Sequence, residues 1–66
     1  MDNLIDGLQK EMDRNRELLK GYEAIGTPGM FGAGMIKGGI KIAEKAISSG
    51  DTVEMLRCYQ ALKNNE

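Results

Sequence analysis

The chain has 66 residues, a formal net charge of −1 and 29% charged residues. A monomer of this size buries only about 60% of the surface that its unfolded chain exposes, so small domains usually need a staple. One cysteine and no histidine exclude an internal disulfide and the usual zinc ligand sets, which leaves self-association. Near-neutral charge argues against nucleic-acid binding, and DNA and RNA are not expected partners. No apolar run reaches the ~20 residues of a membrane span, so no membrane partner is expected either. The acidic start MDNLIDGLQKEMD is unlike an export signal, and a lone thiol suits a reducing compartment, so the cytoplasm is the expected location.

Residues 3 to 25 read as one long helix. Ile5, Leu8, Met12, Leu19 and Tyr22 recur in steps of three and four, flanked by Leu4, Leu18 and Ile25, which is the pattern of a helix with one packed face. Asn15 falls on that seam. It reads first as a polar residue at a wetted point, and second as a device that sets pairing register. Asp2 or Asn3 supplies the N-cap. Asp6 and Lys10 are placed as a favourable helical pair.

Gly26 ends this helix as a C-cap, and Thr27-Pro28 starts the next with a capping hydroxyl and a proline at the first position. The second helix therefore opens at Pro28 in this reading. It carries one stripe of Phe31, Met35, Ile42 and Ala46, and an adjoining stripe of Ile36, Ile40, Ala43 and Ile47. Gly50 then breaks the chain, Asp51 caps a third helix, and Glu54 completes a variant of the capping box. Val53, Leu56 and Tyr59, with Met55 and Leu62, supply its buried side as far as Lys63. The fold expected is all-α: a single domain over 1–66 with a long helix, an antiparallel second helix and a short third one. It is expected to form a homo-oligomer, because the apolar stripes exceed what one chain can cover.

The stretch GTPGMFGAGMIKGG has glycine at six of its fourteen positions. A flexible linker would be polar and without period, and this stretch is neither. Each glycine inside a helix costs roughly 1 kcal/mol against alanine, which calls for a compensating contact. One is close helix packing through the small pairs Gly34–Gly38 and Gly39–Ala43. The other is an anion held at the helix start, where Gly29, Gly32 and Gly34 leave the backbone bare. Phosphate-loop and dinucleotide fingerprints are absent: Lys37 is followed by Gly38 rather than Ser or Thr, and no strand precedes. Lys37, Lys41 and Lys45 form a basic line, and Arg14, Arg16 and Lys20 form a second edge if the first helix lies alongside.

These features suit a small anionic nucleotide better than a polynucleotide. The candidate ligand residues are Gly29, Phe31, Gly32, Gly34, Lys37 and Lys41; the packing residues are Gly34, Gly38, Gly39 and Ala43. No catalytic residue, metal ligand or cofactor is assigned, because Cys58 has no histidine to activate it and the acids show no di-metal spacing. In the alternative reading the glycine face is only a packing surface, and the protein inhibits or adapts another protein through its outer helices.

YEAIGTPGMFGAGMIKGGI followed by AEKAISSGDTVEMLRCYQALKNNE resembles short helical proteins of phages and prophages. The plan is similar to that of the phage "sponge" proteins, which oligomerise and sequester cyclic or ADP-ribose-type nucleotide signals of bacterial immunity. The resemblance implies a non-enzymatic, phage-borne binder acting in the host cytoplasm. It is architectural, and no binding residue is carried over from it.

Overall fold

The computed structural model describes residues 3–66. Three helices, α1 (Leu4–Ile25), α2 (Met30–Ser49) and α3 (Thr52–Lys63), pack each against the other two. α2 runs antiparallel to both neighbours, so α1 and α3 are parallel. The molecule measures 37 × 22 × 16 Å, and its length is set by α1 at about 1.5 Å per residue.

The helix ends follow from local chemistry. Asn3 accepts from the Asp6 N–H at 2.9 Å and caps α1; Asp2, the other candidate, lies outside the described residues. Gly26 has φ 87° and ψ −143°. This is a positive-φ conformation as expected of a C-cap glycine, but outside the left-handed helical well. The second helix does not open at Pro28. Thr27–Gly29 forms a 3-10 turn in which the Gly29 N–H bonds to the Gly26 carbonyl at 2.9 Å, and the Thr27 side chain caps nothing. The α-helix proper starts one turn later, at Met30.

At the far end, Gly50 is left-handed with φ 69°. Its N–H bonds to Ile47 O at 3.2 Å, while the Asp51 N–H bonds to Ala46 O at 3.1 Å, the paired closure of a glycine-terminated helix. Asp51 in turn accepts from the Glu54 N–H at 3.1 Å and caps α3. One residue thus closes α2 and opens α3.

The core comprises Leu8 and Met12 of α1, Ala33, Ile36, Ile40, Ala43 and Ala46 of α2, and Met55, Cys58 and Leu62 of α3. The Ile36 stripe is the buried one. Phe31, Met35 and Ile42 of the other stripe face outward, and only Ala46 of that set is covered. Ile5, Ile25, Val53 and Leu56, expected on packed faces, are likewise exposed. The bundle has one interior, and each helix can turn only one face toward it.

Asn15 corrects the wetted reading. It is fully buried. Its Nδ2 donates to Glu11 O at 2.7 Å and to Leu62 O at 3.0 Å, and its Oδ1 accepts from Asn65 Nδ2 at 2.8 Å. Arg14 adds a guanidinium bond to Leu62 O at 2.7 Å, and the Tyr22 hydroxyl reaches Glu66 O at 2.7 Å. The carbonyls at the end of a helix have no intrahelical partner, and here α1 supplies the donors for α3. The Asn15 network fixes how the two helices are placed lengthwise.

Candidate functional site

α1 and α2 leave a groove between them on the side away from α3. Arg16 and Leu19 of α1 and Gly34, Lys37, Gly38, Ile40 and Lys41 of α2 line a hollow of about 510 Å³. It continues toward the α1–α2 corner as a second hollow of about 530 Å³, which shares Gly34 and Lys37 and adds Glu23, Thr27 and Met30. Helical spacing builds the groove. Gly34 and Gly38, and Lys37 and Lys41, are pairs four apart that share one flank of α2, and Arg16 and Leu19 are three apart on α1.

Three cations meet there. Lys37 Nζ lies 3.2 Å from Glu23 Oε2, with both side chains about half exposed. Arg16 is held at 2.7 Å by Asp13 on its own helix. Lys41 makes no ion pair among the described residues. An exposed ion pair contributes roughly 0–1 kcal/mol, so an entering phosphate can take Lys37 from Glu23 at small cost. Leu19 and Ile40 give the groove an apolar wall.

The glycines divide into separate jobs. A β-carbon on Gly34 or Gly38 would meet nothing within 4 Å, so neither packs against another helix of this chain and both leave the groove floor open. Their amides lie inside the helical ladder, so what they offer a ligand is room rather than free N–H donors. Gly39 does approach a neighbour, since a β-carbon there would stand 3.2 Å from Leu62 Cδ2, and Ala43 is fully buried. Gly29 and Gly32 stand at the corner beneath Tyr22. A β-carbon on Gly29 would overlap the Tyr22 carbonyl, and one on Gly32 would come within 2.7 Å of the Tyr22 ring. These two let α1 and α2 meet closely and do not border the groove.

Of the six candidate ligand residues, the fold therefore gathers Gly34, Lys37 and Lys41. Phe31 stands apart and is 81% exposed, beside a small hollow with Gly32 and Met35. Arg16 joins the site from α1; its sequence signal was its place on the basic edge. Arg14 and Lys20 do not join it, because Arg14 is occupied at the end of α3 and Lys20 pairs with Glu17 at 3.2 Å.

A hollow of about 480 Å³ on the opposite flank of α1 is a poorer anion site. Its only cation is Arg14, and Glu17 and Glu66 both line it. Cys58 is buried, and burial first, then the nearby Glu54 carboxylate, pushes its thiol up from the usual value, the reverse of an activated nucleophile. Among the described residues no helix is long and apolar enough to cross a membrane.

Over the described residues, the fold and site thus define an all-helical protein of three helices with a cation-lined groove between α1 and α2. Compared with protein families, characterised proteins and solved structures, the chain matches none.

Proposed function

We propose that the chain is a non-enzymatic binder of a small phosphorylated nucleotide, held in the α1–α2 groove. One observation carries this reading: Arg16, Lys37 and Lys41 converge around a floor left open by Gly34 and Gly38. The lysines and arginine take the phosphates, and the wall of Leu19 and Ile40 takes the flat face of a base. A hollow of about 510 Å³ falls within the range of roughly 300–1,000 Å³ typical of small-ligand sites. Three cations match two or three phosphate charges, far fewer than a polynucleotide contact needs. Together with the resemblance to phage sponge proteins, this favours a cyclic or ADP-ribose-type signal of bacterial immunity, sequestered in the host cytoplasm by a homo-oligomer.

The test is a thermal-shift and calorimetric screen against cyclic di- and trinucleotides and ADP-ribose derivatives. Ligand at 100 times Kd should stabilise the chain by about 2.7 kcal/mol. Lys41→Ala should keep the parent's melting temperature without ligand and lose most of the shift with it. Silence across the panel would turn the reading to a protein partner, the role favoured by the exposed Phe31, Met35 and Ile42.

A further inference from the structure

The outer face of α2 presents Phe31, Met35, Gly38 and Ile42 in succession. The four fall within an arc of about 60° on a helix of 3.6 residues per turn. Phe31, Met35 and Ile42 are 81%, 62% and 52% exposed. Gly38 makes a notch among them, since nothing in the chain lies within 4 Å of where its β-carbon would be. Neither α1 nor α3 fills this notch, in contrast to the sites of Gly32 and Gly39.

We propose that this face pairs with the same face of a second copy, antiparallel, about a two-fold axis passing between Ile36 and Lys37. In that register Phe31 lies on the partner's Ile42, and Met35 enters the notch over the partner's Gly38. Symmetry makes each contact twice. The order of sizes selects the occupant. Large, large, gap, large, set against its own reverse, brings a thioether to the gap, whereas a parallel pairing sets Gly38 against the partner's Gly38 and leaves the notch empty. Methionine, unbranched and adaptable, suits such a gap.

Charge is compatible with the antiparallel register. Lys45, which makes no ion pair among the described residues, comes opposite the neutral Pro28–Gly29 turn. The two Lys45 side chains lie at opposite ends of the contact. The contact follows only about 17 Å of helix, below the standard interface of about 800 Å² per partner. That size suits a reversible dimer whose population rises with concentration.

This inference specifies the oligomer named above and does not rest on the ligand: Phe31, Met35 and Ile42 lie outside the groove lining and Gly38 alone borders both, so self-association and nucleotide binding can fail separately. Sedimentation velocity across the micromolar range should show a concentration-dependent monomer–dimer equilibrium. A monomer at every concentration would overturn the proposal.

Phe31→Cys and Ile42→Cys test the register. Each residue lies about 16 Å along the axis from its own copy, beyond the ~7 Å Cα separation a disulfide spans. Mild oxidation should therefore cross-link a mixture of the two variants but neither alone. The parent, whose Cys58 is buried, should give no covalent dimer. Self-linking of each variant alone would overturn the antiparallel register. Gly38→Ile fills the notch, where a β-carbon meets nothing within 4 Å, so helicity should be kept while self-association falls at least tenfold. Because Gly38 also borders the α1–α2 groove, nucleotide binding is read on the reduced Phe31→Cys and Ile42→Cys variants instead. Association equal to the parent's would show that the notch is not the docking feature.

Discussion

Gly29 and Gly34 show how one residue type answers to different surroundings. Gly29 is buried where the α1 backbone crosses it, and a methyl there overlaps the Tyr22 carbonyl. Backbone cannot swing aside as a side chain can, so Gly29→Ala should lose at least about 1–3 kcal/mol in urea denaturation. Gly34→Ala places its methyl in open space and should gain up to about 1 kcal/mol from helix propensity. Equal midpoints for the two variants would contradict the corner geometry. Asn15 is the other decisive residue. Asn15→Ala leaves Asn65 without its acceptor and Leu62 O with one donor fewer, and loss of a buried partner costs about 1–3 kcal/mol. Chemical denaturation should show this loss, and amide exchange should show it concentrated at the end of α3.

At the scale of elements, the α2–α3 connection is short because Asp51 serves both helices. Its N–H helps close α2 and its carboxylate caps α3. Asp51→Ala removes the carboxylate function alone and should cost about 1 kcal/mol, whereas Asp51→Asn should recover most of it. Both are readable as shifts in the urea midpoint at constant slope. α2 has the opposite character, a helix with two apolar stripes and one interior to bury them in. Its spare stripe makes it the element through which the protein meets something else.

For the whole molecule, the core formed by the described residues holds one titratable group, Cys58. Burial and Glu54 raise the thiol from its usual 9.0, so the folded state favours the protonated form more than the unfolded chain does. The associated stability is complete below about pH 9 and is lost as pH rises beyond it, because the unfolded thiol ionises first. Alkylation at pH 8 should therefore be slow in the native protein and fast in urea. Native labelling as fast as that of a free thiol would place Cys58 outside the core.

Much of this architecture is decided locally. Asn3, Gly26, Gly50 and Asp51 mark helix ends through φ preference and side-chain capping, which involve neighbours within a few residues, so three helices and their breaks are legible from the sequence. The start of α2 is the exception, which the 3-10 turn over Thr27–Gly29 moves from Pro28 to Met30. Periodicity likewise identifies Leu8, Met12, Ile36, Ile40 and Leu62 as core candidates. It cannot choose between two apolar stripes that both repeat at helical spacing. That choice depends on where α1 and α3 lie, and it turned Ile36 inward and Phe31 outward. Asn15 looked like a wetted position because the carbonyl it satisfies, Leu62 O, is 47 residues away. The glycines of α2 were distinguishable only in three dimensions. Whether a missing side chain leaves room for Tyr22, for Leu62 or for nothing is a property of the neighbouring helix. For the same reason the basic line of α2 became a groove only when packing brought Arg16 across from α1.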